Sequence, residues 1–372
     1  MMKHKILLMT PSLNYGGEEL STLNIARELI SRGHEVVFMS SGGPLEAQLK
    51  RYNIRFVKAN IKGRGIIGII KGAAEVRRFL KKEKVSIVHS QTPWPALMSK
   101  LACFSLRSNI PVIWHDRGIR RENYKYAAKL ANIFFDQVIS NSDDEQKLLL
   151  AYGLSPAKAR RIHNGLNVGD HLADTAGELD LKRELGIDKD VLIIGMVGRM
   201  VEEKGFKWLI AAASQLGKMK MRQKYCFVLV GDGPLRLELE EMVRKSALQK
   251  DFFFLGFRED IPAILRNINI LVIPSEFEPF GNVVLEGMFA GTAVIASKVG
   301  GIKEIISDGV DGIFIKPKDP DMIAQTIVKL VENEGLRNNI SSRGKQKIVS
   351  YFNIQRVVDE IEEVYRKITV GS

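Results

Sequence analysis

The sequence predicts an α/β protein of two domains, each built on a parallel sheet, and three observations carry that expectation. Its 372 residues exceed one ordinary core and suit two domains of about 100–200 residues each. Short apolar runs alternate with helical patterns of about 10–15 residues, as right-handed βαβ units require. The pattern also starts twice, once near Lys5 and again near Val191.

Lys5–Met9 reads as the first strand, ending in the loop Leu13-Asn14-Tyr15-Gly16-Gly17. Leu20, Leu23, Ile25, Ala26, Leu29 and Ile30 then share one face of a helix from about Glu18 to Arg32, stopped by Gly33. Strands follow at Glu35–Ser40, Ile54–Val57, Val85–His89, Pro111–His115 and Gln137–Ser140. The second half repeats this order with strand Val191–Val197, loop Gly198–Gly205, helix Phe206–Leu216 and strand Tyr225–Val230, which Gly231-Asp232-Gly233-Pro234 ends. Further strands are expected at Phe252–Leu255, Ile270–Ile273, Ala293–Ala296 and Gly312–Ile315. Two such series in tandem imply two Rossmann-like domains, 1–170 and 171–353, joined in the Gly- and Asp-bearing stretch Asn167–Glu178.

A composition of 45% hydrophobic, 26% charged and 8% aromatic residues is that of a globular protein and excludes a disordered or fibrous chain. No apolar run approaches the ~20 residues of a spanning helix, and the run in Met1–Thr10 is too short for a signal peptide. Cys103 and Cys226 share no metal-type spacing, which points to a reducing cytoplasm. The net charge of +12 is lopsided: residues 1–170 carry +13 and residues 171–372 carry −1. Lys50–Lys84 holds twelve basic residues against Glu75 and Glu83. Such a run reads either as a solvated face or as a surface for an anionic partner: phospholipid, phosphorylated glycan or nucleic acid.

Ligands of open parallel sheets bind beyond the carboxyl ends of the strands. The residues there are Gly16, Gly17, His89, His115, Asn141, Arg199, Lys204, Gly231 and Pro274–Gly281. Gly198-Arg199-x4-Lys204-Gly205 places a planar fork and a point charge at one strand end, a pairing suited to a diphosphate. It is not a Walker loop, since no Gly-Lys-Ser/Thr follows. In Pro274-Ser275-Glu276-Phe277-Glu278-Pro279-Phe280-Gly281-Asn282-Val283-Val284-Leu285-Glu286 a helix is expected to begin near Phe280 or Gly281. The first amides, on Gly281, Asn282 and Val283, then form an anion site with the helix dipole. Glu278 and Glu286 stand roughly 9–12 Å apart by helix rise, too far for a retaining hydrolase pair, and suit two parts of one long ligand. Asp188-x-Asp190 and Asp319-x-Asp321 read as caps rather than as a metal motif, so no metal or other cofactor is expected.

Glu278-x7-Glu286 with Gly198-Arg199-x4-Lys204-Gly205 resembles the retaining GT-B glycosyltransferases of family four (glycosyl transferases group 1). The likeness covers nearly the whole chain. Gly16-Gly17-x-Glu19, Val88-His89-Ser90, Ile113-Trp114-His115-Asp116, Ile139-Ser140-Asn141-Ser142 and Ile162-His163-Asn164-Gly165-Leu166 resemble landmarks of the family's first domain and interdomain turn. Gly231-Asp232-Gly233-Pro234 and Val299-Gly300-Gly301-Ile302-Lys303-Glu304-Ile305 resemble those of the second. Ala293 and Lys303 depart from it, both standing where proline is usual.

The resemblance implies parallel sheets facing a central cleft, with the helical pattern Ile354–Ile368 crossing back to the first domain. It implies that Arg199 and Lys204 hold the diphosphate of a nucleoside diphosphate sugar and the amides of Gly281, Asn282 and Val283 its distal phosphate. Glu286 takes the ribose and Glu278 the transferred sugar. Gly16 and Gly17 close on the diphosphate, His115 sits beside the sugar, and Phe257 and Arg258 lie near the base. Gly231 and Phe280 complete the donor-binding set. The catalytic set is His115, Glu278, Arg199 and Lys204.

The expected activity is transfer of a sugar, with UDP favoured, to a glycan or lipid-linked acceptor with retention, in cell-envelope polysaccharide or lipopolysaccharide synthesis. The expected location is cytoplasmic, peripheral at the inner face of the plasma membrane, with residues 50–84 on the anionic surface. A nucleotide-sugar epimerase or phosphorylase-like enzyme shares the fold, but no extra acid/base carboxylates stand out in the first half. A nicotinamide oxidoreductase lacks its G-x-G-x-x-G. A nucleic-acid-binding protein fits the pI of about 9.5 but lacks a motif and interleaved aromatics, so no nucleic-acid partner is expected.

Overall fold

The computed structural model describes residues 3–169, 179–217, 219 and 221–370. Packing divides the chain into two units, Met1–Gly165 with Ile354–Ser372, and Leu166–Asn353. The first changeover falls before the expected residue 170. Leu166 already belongs to the second unit, because its amide donates to the Phe352 carbonyl at 2.8 Å and it bridges Asn353. Residues 170–178 of the expected linker lie outside the described residues.

The first unit carries strands β1 (Lys5–Met9), β2 (Glu35–Ser40), β3 (Arg55–Lys58), β4 (Ile87–Ser90), β5 (Val112–Asp116), β6 (Gln137–Ser140) and β7 (Ala159–Arg161). They lie in the order β3-β2-β1-β4-β5-β6-β7, and every neighbouring pair is parallel. Its helices are α1 (Gly17–Ser31), α2 (Glu46–Arg51), α3 (Ile66–Lys82), α4 (Pro93–Leu106), α5 (Tyr124–Phe134) and α6 (Asp143–Ala151), with the C-terminal helix Ile354–Val370. Successive strand residues point to opposite faces. Leu7, Met9, Val88 and Trp114 therefore meet α3, α4 and α5, while Ile6, Leu8, Ile87, Ile113 and Ile139 meet α1 and the C-terminal helix.

That helix buries Ile354, Val357, Val358, Ile361, Val364 and Tyr365, the i, i+3, i+4, i+7 stripe of an amphipathic helix. Arg32 pins it through Asp359 at 2.5 Å, Glu362 at 2.7 Å and the Gln355 carbonyl at 2.7 Å. Glu362 also meets His34 Nε2 at 2.7 Å.

The second unit carries β8 (Leu192–Val197), β9 (Tyr225–Val230), β10 (Phe252–Gly256), β11 (Ile270–Ile273), β12 (Ala293–Ser297) and β13 (Ile313–Ile315). Their order is β10-β9-β8-β11-β12-β13, again parallel throughout. Helices α7 (Leu181–Leu185), α8 (Phe206–Leu216), α9 (Arg236–Lys245), α10 (Ile261–Asn267), α11 (Asn282–Ala290), α12 (Ile302–Ile305), α13 (Pro320–Glu332) and α14 (Glu334–Tyr351) complete it. Ile194, Phe227 and Val272 look to one core and Ile193, Val228 and Leu271 to the other. Among the described residues no helix is long and apolar enough to cross a membrane.

Ile361 is fully buried beneath the C-terminal helix. Its replacement by alanine is expected to cost about 3 kcal/mol, the usual range for such a cavity. A urea titration followed by far-UV circular dichroism reads this, and an unchanged midpoint would mean the helix is not part of the first unit's core.

Candidate functional site

The strand order of the second unit reverses between β8 and β11. A reversal of this kind opens a crevice at the carboxyl ends of the two strands. Arg199 and Lys204 follow β8, and Glu278 follows β11. Gly205 lets the two loops close on each other: its φ is +76°, and a Cβ would stand 2.2 Å from the Pro274 carbonyl oxygen. Glu276 fastens them, its amide donating to the Glu203 carbonyl at 2.8 Å. Its carboxylate accepts from Trp208 Nε1 at 2.9 Å and pairs with Lys318 at 2.8 Å.

The closed loops set Lys204 Nζ 2.5 Å from Glu278 Oε2, with the Ser275 hydroxyl 3.4 Å from the same oxygen. Arg199 is exposed at the same strand end and pairs with no described side chain. Gly281, at φ +109°, turns the chain into α11. The Val284 amide bends back to the Gly281 carbonyl at 2.9 Å, and Asn282 and Val283 form the partly buried first turn. The positive end of α11 thus lies at the strand end that carries Glu278. Glu286, one turn on, has no side-chain partner among the described residues, and burial pushes its carboxyl up to about 7.

Three expected donor-site residues are placed otherwise or with other partners. The Phe280 ring is 2% exposed and packs edge-on against Phe352. It braces the loop from within the core and is not offered to a ligand. Arg258 is committed to Asp260 at 2.8 and 2.7 Å and to Glu184 at 2.6 Å, because both carboxylates lie within reach of its fork. Gly231 works through its backbone, donating to the Gly256 carbonyl at 2.8 Å. Phe257, beside it, is half exposed.

The first unit reverses between β1 and β4. Gly16 caps α1 in an extended conformation, and Gly17 is its first residue. Glu18 accepts from Thr10 Oγ1 at 2.8 Å; burial and neighbouring Glu19 push its carboxyl up to about 7. His115 is the penultimate residue of β5, buried, with Nδ1 3.0 Å from His89 Nε2. His89 Nδ1 in turn lies 2.7 Å from the Tyr365 hydroxyl. Burial, then Arg117, then His89 lower His115 well below an ordinary imidazole.

Arg117 donates through Nε to Gln91 Oε1 at 2.8 Å and also contacts Asn164. Burial pushes Asp116 up to about 7 and Glu145 well above its usual range, while Tyr124 Oη lies 3.3 Å from Glu145 Oε1. Several polar atoms at this edge are buried with no hydrogen-bond partner among the described residues: Gln91 Nε2, His115 Nε2, Asp116 Oδ2, Arg117 Nη2, Asn141 Oδ1 and Glu145 Oε2. Native interiors leave few such atoms, so these are the groups that solvent or a polar ligand would meet at this edge. Glu18, Asp116, Arg117, Tyr124 and Glu145 were not singled out from the sequence. The available signal was adjacency, since Asp116 and Arg117 directly follow His115, and Glu18 follows Gly17.

Glu18 binds a proton in the folded state at a pH where the unfolded chain has released it. The stability it contributes is present below about pH 4 and is lost as pH rises through about 7. Glu18→Gln is therefore expected to stabilise the protein by roughly 1–2 kcal/mol at pH 8 and not at pH 4. Urea titrations at the two pH values check this, and equal effects at both would contradict the raised carboxyl.

Residues 15–170 match the family described as Glycosyltransferase Family 4, and residues 178–347 the family described as Glycosyl transferases group 1. An uncharacterized glycosyltransferase of Methanocaldococcus jannaschii is 31% identical over 235 residues, which is 62% of this chain and 60% of that protein. The Escherichia coli UDP-Gal:alpha-D-GlcNAc-diphosphoundecaprenol alpha-1,3-galactosyltransferase is 26% identical over 85% of this chain and 84% of its own. HepE of Anabaena, crystallised with UDP and glucose, has the same fold at a TM-score of 0.85 and 24% identity, covering 98% of this chain and 100% of that one. A glycosyltransferase from Rickettsia africae does so at 0.86 and 24%, covering 100% of each chain. One family match falls on each parallel-sheet unit, and together they make this chain a GT-B glycosyltransferase of family four.

Proposed function

We propose that the protein transfers a hexosyl group from a UDP-sugar to a glycan or lipid-linked acceptor, with retention of anomeric configuration, in cell-envelope polysaccharide or lipopolysaccharide synthesis. The observation that carries this reading is the 2.5 Å contact of Lys204 with Glu278 beside the open Arg199. It puts a phosphate-binding cation and a sugar-binding carboxylate side by side, as the two sides of a glycosyl–phosphate bond require. The name of the Escherichia coli relative specifies UDP-Gal and a diphosphoundecaprenol-linked acceptor, and HepE was crystallised with UDP-glucose. Both support UDP as the nucleotide.

Breaking the anomeric C–O bond places negative charge on the leaving diphosphate. Arg199, Lys204 and the first turn of α11 meet that charge with fixed cations and amides, the kind of preorganised stabilisation that dominates many reactions. Transfer is accordingly proposed to need no metal. Glu278 accepts from the hydroxyls of the sugar and Glu286 from those of the ribose. Gly16 and Gly17 of the first unit are proposed for the diphosphate and His115 for the sugar. The leaving phosphate takes the acceptor's proton on the face it departs from.

Two ribose hydroxyls donate together to both oxygens of an ionised Glu286, whereas the protonated acid offers one good acceptor, and this carboxyl stands at about 7 without ligand. UDP-galactose affinity is therefore expected to rise between about pH 6 and pH 8 in the wild type and to lose that slope in Glu286→Gln. Lys204→Ala is expected to slow transfer by roughly 2–4 kcal/mol of activation energy, while excess EDTA leaves it unchanged. Isothermal titration and a radiolabelled transfer assay read these outcomes. Release of an epimerised sugar without transfer would overturn the reading.

We also propose that the first unit rests on an anionic membrane surface. Ile66, Ile67 and Ile70 of α3 are 79%, 71% and 61% exposed. The apolar residues of that helix divide in two: Val76 and Leu80 are buried in the core, and the exposed part is the first turns. Phe104 of α4 and Tyr126 and Ile133 of α5 stand out from the same layer of helices. Lys62, Arg64, Lys71, Arg77, Arg78, Lys81, Lys82, Lys125 and Lys129 are exposed around them. An apolar surface among cations suits a headgroup boundary, at about 1 kcal/mol for each basic residue close to it. Changing Arg77, Arg78, Lys81 and Lys82 to Glu is expected to abolish co-sedimentation with phosphatidylglycerol vesicles while UDP-galactose binding persists. Wild-type protein that ignores those vesicles at low salt would retire the membrane surface.

A further inference from the structure

We infer that Tyr365 of the C-terminal helix, acting through His89, fixes His115 as a hydrogen-bond donor to an oxygen of the sugar and bars it from acting as a base. The inference rests on the proposed sugar-nucleotide reading for the identity of the ligand, but its first step is a property of the protein alone.

The Tyr365 hydroxyl lies in a fully buried side chain, 2.7 Å from His89 Nδ1, and has no other partner among the described residues. The nearby Glu362 is already taken by Arg32 and His34, and the His4 ring meets Tyr365 edge-on at 6.3 Å between centroids. A buried hydroxyl hydrogen without an acceptor is costly, so Tyr365 donates and His89 Nδ1 accepts. A neutral imidazole has one donor and one acceptor, so the His89 proton sits on Nε2. That proton faces His115 Nδ1 at 3.0 Å, which therefore accepts. The remaining proton of His115 is on Nε2, the atom that is buried with no protein partner.

The opposite polarity would strand the tyrosine proton, and a protonated ring at either position would face a donor with a donor or leave the tyrosine unsatisfied. Burial and the neighbouring Arg117 also hold both rings neutral. His115 Nε2–H thus seeks an acceptor, and the oxygen of a sugar hydroxyl fits it. His89 and Tyr365 are positioning residues: they touch no substrate and act by choosing the tautomer.

Two-bond ¹⁵N–¹H correlation spectra of the histidine rings test the first step without any ligand. Wild type is expected to show His115 as the Nε2–H tautomer. Tyr365→Phe, nearly isosteric, is expected to release the bias and give a mixture. His89→Gln is expected to preserve the wild-type state, since an amide also accepts at one atom and donates at the other, whereas His89→Leu is not. An Nδ1–H tautomer of His115 in wild type, or one tautomer unchanged by Tyr365→Phe, overturns the inference.

Titration calorimetry tests the second step with UDP and with the tightest binder among UDP-galactose, UDP-glucose and UDP-N-acetylglucosamine. Tyr365→Phe is expected to weaken the UDP-sugar about tenfold and to leave UDP unchanged, while His89→Gln is expected to keep wild-type affinity for both. Equal loss for both ligands, or no loss for either, overturns the donor role. Failure of all UDP-sugars to bind wild type would refute the proposed donor class and the sugar-facing role with it, while the tautomer spectra still decide the relay.

Discussion

A parallel sheet covered by helices on both faces has no polar surface except at its strand ends, and that constraint governs where chemistry sits in both units. Strand interiors such as Ile6–Met9 and Ile193–Met196 are buried almost completely, so no functional group can be placed there without losing its hydration. The reversal of strand order at β1/β4 and at β8/β11 then picks one place on each carboxyl edge where loops diverge. Arg199, Lys204 and Glu278 occupy that place in the second unit, and the Gly16–Gly17 turn and His89 occupy it in the first, with His115 on the next strand. The loops converge chiefly through Gly205 against Pro274 and through Glu276 across to Glu203 and Trp208.

The two edges are electrically different. The second unit presents an exposed guanidinium, an ammonium–carboxylate pair and the positive end of a helix, all fit to meet an anion. The first keeps its ionisable groups in their neutral forms wherever burial allows: Asp116, Glu145 and Glu18 are raised and His89 and His115 lowered, with burial the leading cause in each. Partly buried Arg117, though pushed down to about 10, remains the one cation of that cluster among the described residues. Its three carboxylate neighbours are held close enough to moderate it electrostatically.

Apolar periodicity made most of this fold legible. Lys5–Met9, Glu35–Ser40, Gln137–Ser140, Tyr225–Val230, Ile270–Ile273 and helix Phe206–Leu216 stand where their patterns put them. β7 escaped notice because Ala159-Arg160-Arg161 is a three-residue edge strand, partly buried and without an apolar run. The site was legible where a residue type and a strand end coincided, as at Arg199, Lys204 and Glu278. It was not legible where function depends on packing. Phe280 and Arg258 look free in a sequence, and only the fold shows the ring in the core and the fork on two carboxylates. The His89–Tyr365 contact joins residues 276 apart in the chain, which no local pattern can report.

The neutrality of His89 and His115 matters for the reaction proposed. In the proposed reaction the sugar gathers positive charge as it leaves the diphosphate, so a cation beside it would raise the barrier. A neutral donor does not carry that penalty: it orients a sugar hydroxyl by a hydrogen bond and adds no charge to oppose the developing one. Burial of His89 and His115 supplies this without a dedicated counter-ion, because desolvation disfavours the imidazolium at both rings together. The cost is a buried tyrosine hydroxyl and two buried imidazoles that must satisfy one another, and the chain His115–His89–Tyr365 does so at every atom except Nε2 of His115, which has no hydrogen-bond partner among the described residues.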